Sequence, residues 1–434
     1  MVKKIIIAIV AVAVLVAASV WGFLYYQRAQ SFKVAVPAAA VNAVRINVEQ
    51  IGIDLLFSGG PDTADKKKGG KKRKYGLELP LNVFLFGFKD MPSTFLLSRW
   101  TISDDIDFKV FIKEEFNYTG GVYVHNSKLF SCLYKDKTAV MLTTIKPDAA
   151  MLSVANEYLS GSNTVAFAES KWTDLKQAGA DITIAGAWGE GSLDFEKGNI
   201  DARWTSEAPV RSFPAVAPVP EDVAFALHAN GNLADDLHSL FPGRADSVHW
   251  DRLHTAFAGG YALYINGAVN QQEAVVTYDF DDNFEKVART SMQEKPVPAV
   301  YLLAPMAGKD GLNVLQQESI LFPPDSVSKS LFPLFALRYK VDSSGVLAIS
   351  SNRAQILDQP DRKAVPEQGR CLSLYCNVAQ LRGLPLFADA AAYLKPFEKL
   401  RLQGIQKDGK IFYTLNLSFT NKQQYALKQV LDLF

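Results

Sequence analysis

Cysteine is scarce in this sequence, with only Cys132, Cys371 and Cys376 among 434 residues. Cys371 and Cys376 lie in a stretch that alternates like a β-strand, and their spacing would point the two side chains to opposite faces, too far apart to bridge. A disulfide from Cys132 to one of them is left open. So few cysteines exclude a small disulfide-stapled domain, and we expect the apolar core to hold the chain together.

Excess charge of one sign is also absent, because 46 basic and 45 acidic side chains leave a net charge of +1. No overall field therefore selects nucleic acid or acidic substrates. Catalytic signatures are missing as well: no HExxH, GxSxG, phosphate-binding loop or GxGxxG motif occurs, and Gly189-Glu190-Gly191 lacks the third glycine. The sequence predicts no catalytic, cofactor-binding or metal-binding residue, although a site built from dispersed residues leaves no motif.

What the sequence does contain is a long uncharged apolar run, Ile5–Tyr26. A helix needs about 20 apolar residues to cross the hydrocarbon core. Lys3 and Lys4 precede the run, and positive charge favours the cytoplasmic side. The run predicts a single-pass signal-anchor in the cytoplasmic (inner) membrane, with residues 1–4 inside and the rest of the chain in the periplasm or outside the cell. Its aromatic end is predicted to lie at the membrane interface through Trp21, Phe23, Tyr25 and Tyr26.

A cleaved signal peptide is the alternative interpretation of this run. Residues 5–16 would form its apolar region, and Ala17-Ala18-Ser19 would be a small-residue cleavage site. The run continues past that site into the aromatic residues, which favours the anchor. No cysteine comes directly after the run, so there is no lipid-attachment cysteine, and both interpretations place the rest of the chain outside the cytoplasm.

A basic run follows, with seven positive side chains in nine positions of a nearly neutral chain. Such runs repel themselves and stay solvated. One interpretation is an arm that contacts anionic lipid headgroups, acidic glycans or an acidic protein face, and the other is a solvated loop inserted between a helix and a hairpin. The residues predicted to make electrostatic contacts are Lys66, Lys67, Lys68, Lys71, Lys72, Arg73 and Lys74.

Three segments share a short alternating strand, an asparagine near its end and a short apolar-faced helix that finishes at phenylalanine. They are Ala43–Phe57, Val223–Phe241 and Cys371–Phe387, and their asparagines are Asn47, Asn230 and Asn377. A hairpin and a capped helix are predicted after each, so a degenerate strand–helix–hairpin–helix repeat occurs three times. The pattern predicts an α+β fold of antiparallel sheets and hairpins with helices on one face.

Local signals place further elements. Asp408-Gly409 predicts a hairpin turn, and Thr420 with Gln423 predicts a capping box for the last helix. Asp282 is predicted to cap a helix after a hairpin within Tyr261–Phe280. Other predicted elements are a helix capped near Asp104, helices at Asp148–Leu159 and Lys171–Ala178, and hairpin strands at Val122–His125, Leu129–Tyr134, Ala139–Thr144, Leu334–Val341 and Val346–Ser350.

The proline-rich stretch Ser206–Asp222 predicts a boundary between two lobes. The predicted organisation is a linker at 27–36, a first α+β lobe at 37–205 with the basic loop at 62–76, a linker at 206–222 and a second α+β lobe at 223–434.

Four of the five histidines are close together in sequence: His228, His238, His249 and His254. A zinc site would need neutral imidazoles that converge with a carboxylate such as Asp235. Their spacing fits no helical ligand pair, so we expect histidines at element ends on a wet surface. The acidic stretch 279–283 resembles part of a calcium loop but lacks its glycine and its final glutamate.

Three stretches, Val36–Gly52, Leu193–Trp204 and Leu400–Phe419, give the chain a resemblance to an uncharacterised (domain of unknown function) family of exported, membrane-attached envelope proteins of Bacteroidota. The resemblance implies a location and a style of fold, and it carries over no catalytic residue. The chain departs from the lipoprotein members of that family in having no lipid-attachment cysteine.

These observations favour a non-enzymatic binding or scaffolding protein, a subunit of a cell-envelope complex. The expected partners are the bilayer, through residues 5–26, and other envelope proteins, with no nucleic acid and no cofactor. One alternative is a carrier of lipid or another hydrophobic ligand in a groove between helices and sheet. The other is a hydrolase of envelope polymers with a dispersed active site. The oligomeric state stays open.

The apolar run predicts the topology. Because an uncleaved span holds the chain in the bilayer, the protein should leave the membrane only in detergent. Protease added outside the cytoplasmic membrane should digest everything beyond about residue 27. N-terminal sequencing of a soluble product that begins near Val20 would instead establish cleavage.

Overall fold

The computed structural model describes residues 26–57, 75–207, 215–240, 249–280, 286–329, 332, 334–352 and 367–433. The chain divides into two units, Met1–Phe195 and Glu196–Phe434. Both consist mainly of antiparallel strands with some helices, which confirms the α+β class. Within the described part of the chain no helix is long and apolar enough to cross a membrane. The predicted span at 5–26 lies outside that part except for its last residue.

The described residues of the first unit form eleven strands: β1 (Ala35–Pro37), β2 (Ala40–Asn47), β3 (Asn82–Phe88), β4 (Leu96–Thr101), β5 (Phe116–Thr119), β6 (Val122–His125), β7 (Ser131–Lys135), β8 (Thr138–Leu142), β9 (Thr164–Ala166), β10 (Ile182–Gly186) and β11 (Gly191–Glu196). Its helices are α1, described at 26–31, α2 (Val48–Phe57), α3 (Asp105–Glu115) and α4 (Ala149–Ser160).

Antiparallel ladders order nine of these strands as β5–β6–β7–β8–β4–β3–β2–β10–β11. Phe84 and Phe86 of β3 are two residues apart, so both face the same side of the sheet. Phe86 meets Tyr158 of α4 with 6.1 Å between ring centroids, and Phe84 meets Phe167 at 5.0 Å. The core of the first unit therefore lies between the sheet and a cover made of α4 and the 3-10 turns at Phe167–Glu169 and Thr173–Lys176.

In the second unit the part of the chain that the structure describes also forms eleven strands: β12 (Asn199–Glu207), β13 (Phe225–Ala229), β14 (Tyr261–Phe280), β15 (Lys286–Pro305), β16 (Leu321–Phe322), β17 (Ser326–Val327), β18 (Arg338–Val341), β19 (Val346–Ser350), β20 (Arg370–Asn377), β21 (Phe397–Lys407) and β22 (Lys410–Phe419). Its helices are α5 (Leu233–Leu240), α6 (Trp250–His254), α7 (Gly308–Gln317), α8 (Val378–Arg382), α9 (Ala391–Leu394) and α10 (Ala426–Leu431).

Their ladder order is β12–β22–β21–β20–β13–β14–β15–β19–β18–β17–β16, again antiparallel. Leu253 of α6 and Leu315 of α7 pack with Leu347 of β19 in one apolar cluster. β12 pairs with β22 from Asn199 to Glu207. The division at 195/196 therefore precedes the predicted linker at 206–222, because this long ladder ties β12 to the second unit.

The order strand, helix, hairpin, helix occurs three times along the chain, with extra short helices in the later two cases. Asn47 accepts a hydrogen bond from the Gln50 amide at the start of α2, and Asn377 does the same for Gln380 in α8. In the second case Asn232, rather than Asn230, accepts from the amide of Ala234. An asparagine side chain thus satisfies a free amide where each strand turns into its helix.

Several local predictions are confirmed. The Asp104 carboxylate accepts hydrogen bonds from the Ile106 and Asp107 amides at the start of α3. Asp408 and Gly409 both have positive φ, 52° and 75°, which is the geometry of a tight two-residue hairpin turn. The predicted strand pairs β6–β7, β7–β8 and β18–β19 form, and α4 begins after Asp148 as expected.

Three local predictions are wrong. Tyr261–Phe280 is one strand rather than a hairpin, and the expected helix after Asp282 is replaced by β15, which begins at Lys286. The last helix begins at Ala426, because the Thr420 hydroxyl donates to the Lys395 carbonyl instead of capping. Within Lys171–Ala178 only a short 3-10 turn forms.

The predicted linker at 27–36 is ordered. Residues 26–31 are helical, and β1 pairs with β9. Phe32 and Val36 are buried in the core of the first unit. The chain therefore enters this core directly after the predicted span.

Arg45 is a buried cation at the centre of the first unit. Its Nε donates to Asn82 Oδ1 at 2.7 Å, and its Nη1 donates to the carbonyls of Leu175 at 2.8 Å and Ala178. Burial lowers the pKa of the Arg45 guanidinium. These bonds attach the 3-10 cover to strands β2 and β3, and they compensate the desolvation of the charge.

Replacing Arg45 by alanine should destabilise the first unit. The change leaves Asn82 Oδ1 and two carbonyls without their donor, at a cost of about 3 kcal/mol. Urea unfolding followed by tryptophan fluorescence measures the loss, since Trp172 lies in the same cover. Lys109→Ala, which removes an exposed ion pair with Asp105, is the control and should cost less than about 1 kcal/mol. Equal losses in the two variants would contradict the role of Arg45.

Candidate functional site

The most unusual feature of the second unit is a two-stranded ribbon formed by the outer parts of β14 and β15. Within β14, only residues Tyr261–Ile265 pair with β13. Within β15, only residues Tyr301–Pro305 pair with β19. From Ala268–Pro298 out to Phe280–Lys286 the two strands pair with each other alone among the described residues. At about 3.3 Å per residue this ribbon, which we call the arm, is about 40 Å long.

The base of the arm is fixed. Gly267 takes a positive φ of 74° at a shift in strand register, where the paired strands leave the sheet. Just beyond it, the Gln271 amide nitrogen donates to the Ala336 carbonyl at 2.8 Å and to the Ser351 carbonyl at 2.7 Å, and its oxygen accepts from the Ala336 amide. This clamp sets the direction in which the arm leaves the sheet.

The arm has one apolar face. Two residues directly opposite each other in an antiparallel pair have their side chains on the same face of the ribbon. Every second pair along the ribbon therefore lies on the same face. This apolar face consists of Ala274, Val276, Tyr278, Ala288, Thr290 and Met292. Tyr278 is 62% exposed and Met292 61% exposed, so neither packs against the rest of the unit. The face is an unusual amount of exposed apolar surface for a single hairpin.

Two charged residues bound this face. Lys286 lies near the tip with its Nζ 4.3 Å from the centre of the Tyr278 ring. Glu294 lies near the base and accepts a hydrogen bond from Asn270. The opposite face is mostly polar apart from Val275 and Val287, and there Lys295 pairs with Glu273 at 3.2 Å. A cation at one end and an anion at the other give the apolar face a defined polarity.

The sequence contains a signal for the arm. Val275, Val276, Thr277 and Tyr278 are strong strand formers. The acidic residues that follow them predict instead a hairpin that ends in a capped helix. The cross-strand pairs of β14 and β15 override that capping signal, and sequence periodicity does not show that neighbouring strands are missing.

The predicted contact residues fall mostly outside the described part of the chain. This applies to the basic run Lys66–Lys74 and to Trp21, Phe23 and Tyr25. Tyr26 is described, and its side chain is exposed. The predicted electrostatic and membrane contacts of these residues stay predictions.

The histidines take separate partners. His238 stacks on Trp250 with 5.1 Å between ring centroids, His254 bonds Asp235, and His249 bonds Glu318. In the described ranges no three His, Cys, Asp or Glu side chains come together as a metal site. The expectation of a wet surface position is wrong for His228, because this ring is buried on β13.

His228 is held as a neutral imidazole. Its Nδ1 lies 2.8 Å from the Ala217 carbonyl, which can only accept, so Nδ1 carries the proton. Nε2 then accepts the Tyr264 hydroxyl proton at 2.6 Å. Burial lowers the pKa of His228. The ring thus attaches the segment around Ala217 to the sheet.

The cysteines are buried thiols with no nucleophilic activation. Cys371 and Cys376 lie on β20 as predicted, and all three cysteines are free. Burial raises the pKa of Cys132 to about 12 and that of Cys376 to about 11. A thiolate is the reactive form, so these side chains are inert at neutral pH.

A cleft of about 600 Å³ lies in the first unit between the 3-10 turn at Thr173–Lys176 and strand β10. Trp172, Leu175 and Ala185 supply apolar lining, and the charged residues of the lining are Lys171, Asp174 and Glu190. The lining is mixed rather than the continuous apolar groove that a lipid carrier would need.

Protonation of His228 should weaken the second unit. Because its folded-state pKa is lowered, the unfolded chain takes up the proton first as the pH falls. The stability from this ring is complete above about pH 6.5, the ordinary histidine pKa, and is lost below it. Urea unfolding from pH 7.5 to 5.0 should show a smaller loss for His228→Gln than for the wild type. Parallel pH profiles would contradict this account.

Comparison with known proteins identifies no relative. No protein-family model, no curated protein and no solved structure matches the chain. The resemblance to exported envelope proteins therefore stays a prediction, and function has to be inferred from the geometry.

Proposed function

We propose that the protein is a membrane-anchored extracytoplasmic binding or scaffolding protein that works as a subunit of a cell-envelope complex. The observation that carries this proposal is the arm of β14 and β15, with its exposed apolar face. The predicted anchor at 5–26 supplies the location. The predicted segments of strand, helix, hairpin and helix supply a scaffold from which the arm projects.

A two-stranded arm with an exposed apolar face gains stability when it binds a partner. An isolated two-stranded hairpin is at best marginally stable in water, and stability normally needs a third strand or a packed layer. Val276, Tyr278 and Met292 contribute apolar area that remains in water. Burying such area is worth about 25 cal/mol per Å². A bound partner surface would supply the missing layer.

The arm also defines the chemistry of this partner. The complementary surface is an apolar strip about as long as the arm, on a protein of the envelope complex. It carries an acidic group opposite Lys286 and a basic group opposite Glu294, since paired charges fix orientation. Anchoring in the same membrane raises the local concentration of both proteins, which favours a contact of modest area.

A small-molecule binding role is the second candidate, and the cleft at Trp172 is the observation that favours it. Its lining, which includes Lys171 as well as two carboxylates, fits a ligand with an apolar body and a positively charged group facing Asp174. Quenching of tryptophan fluorescence measures the binding of a fatty amine to the wild type and to Asp174→Asn. This measurement separates a small-molecule role of the cleft from a protein-binding role of the arm.

Polar substitutions on the apolar face should remove the partner without unfolding the protein. We expect Tyr278→Ser with Met292→Ser to reduce co-purification from mild detergent by about tenfold or more, as for central interface residues. The thermal midpoint should stay nearly unchanged, because both side chains are exposed. Quantitative mass spectrometry of affinity-purified full-length protein measures the effect.

The matched control is Tyr393→Ser with Leu431→Ser, which alters two exposed apolar side chains elsewhere in the second unit. This variant should keep its partners. An arm variant that keeps all its partners would refute the proposal. Loss of self-association alone, detected by light scattering, would identify the partner as a second copy of the chain.

A further inference from the structure

A pair of helices leaves one end of the sheet of the first unit. The Ser31 hydroxyl at the end of α1 accepts a hydrogen bond from Asn82 at 2.7 Å. Asn82 pairs across the sheet with Asn47, the residue that caps the start of α2. The end of α1 and the beginning of α2 therefore meet at the same place.

The two helices run away from this place side by side. Arg28 lies about one turn before Ser31, and its Nε and Nη2 donate to the two oxygens of Glu49, both at 2.9 Å. Glu49 lies in the first turn of α2. Going backwards along α1 and forwards along α2 both lead outward from the sheet. Tyr26 and Ile53 are thus both on the outer side of the Arg28–Glu49 pair.

α2 is an apolar helix whose described apolar side chains are only partly covered. Six of its ten residues are valine, isoleucine, leucine or phenylalanine. Ile53 is 37% exposed, and a Cβ placed on Gly52 would meet no atom within 4 Å. Ile53 follows Glu49 by four residues, so the two lie on the side of α2 that faces α1. The other described apolar side chains of α2, those of Val48 and Ile51, are half-buried.

The polar groups of α2 are already compensated. Glu49 is neutralised by the two bonds from Arg28, and Asp54 accepts a hydrogen bond from Gln50 at 3.0 Å. The exposed apolar side of α2 therefore lies close to Tyr26, the residue at which the predicted span joins α1. The uncharged run Ile5–Tyr26 ends at that residue.

We propose that the outer end of α2, at Ile53, contacts the bilayer surface beside the point where the predicted span at 5–26 leaves it. The inference rests on the anchor in the proposed function. An apolar helix face can bury itself at the boundary between headgroups and acyl chains, and Tyr26 suits the headgroup level. Two adjacent helices then seat the first unit on the membrane. Because Phe32 and Val36 are packed in the core, the unit does not swing on a linker.

The test uses the full-length protein in liposomes of phosphatidylcholine and phosphatidylglycerol. All three native cysteines are buried, so a cysteine introduced at an exposed position is labelled selectively. Ile53→Cys is compared with Ile106→Cys, an exposed isoleucine on α3 of the same unit. Each carries an environment-sensitive fluorophore, and circular dichroism checks that each is folded. Quenching is measured with a spin-labelled lipid and with aqueous iodide.

We expect the lipid quencher to act at least about twofold more strongly on the probe at position 53 than on the probe at 106, and iodide to act more weakly, as for interfacial helices. Equal quenching at the two positions would overturn the proposal. Protection of position 53 from both quenchers would also overturn it, because a protein surface would then cover α2.

Flotation with the liposomes tests the anchor separately. Protein that does not float with the vesicles contradicts the predicted span, whatever the probes report. Floating protein with an iodide-accessible probe at position 53 leaves the anchor intact and rejects the membrane-seated α2. Ile53→Asp should float like the wild type, and lipid quenching of a probe at Gln50→Cys should fall in that background.

Discussion

The first unit depends on one buried guanidinium. Arg45 holds the 3-10 cover against β2 and shares Asn82 with Ser31 at the end of α1. The same side chain therefore closes the core and positions the helix that follows the predicted span. A lysine would supply one point charge in place of the planar donor set that reaches an amide oxygen and two carbonyls. The packing of the core depends on this interaction, and so does the orientation of the chain where the chain enters the core.

The second unit differs from the first, because its longest strands extend beyond the strands next to them. β14 and β15 are supported by β13 and β19 only at the base, and the Gln271 clamp marks where that support ends. The histidines and cysteines of the chain take part in packing and hydrogen bonding. The arm instead exposes apolar surface to solvent, and this surface is what makes the arm the candidate binding site of the second unit.

Local chemistry was predictable from the sequence. The Asp104 cap, the Asp408-Gly409 turn and the asparagine caps at 47 and 377 each depend on a few neighbouring residues. The errors arose where distant partners decide. Residues beyond Asp282 pair in a ladder instead of starting a helix, and Thr420 bonds Lys395 instead of capping. Sequence periodicity does not reveal which strands lack neighbours, so the arm could not be predicted, nor could the antiparallel course of α1 and α2.

The clamp at Gln271 has an entropic consequence. A flexible loop that carries the same side chains would lose much orientational freedom on binding, and that loss subtracts from affinity. The arm is already held in one direction by three bonds from a single amide side chain. The base of the arm therefore has a fixed direction before any encounter. A few hundred Å² of contact can then bind more tightly than the same contact on a free loop.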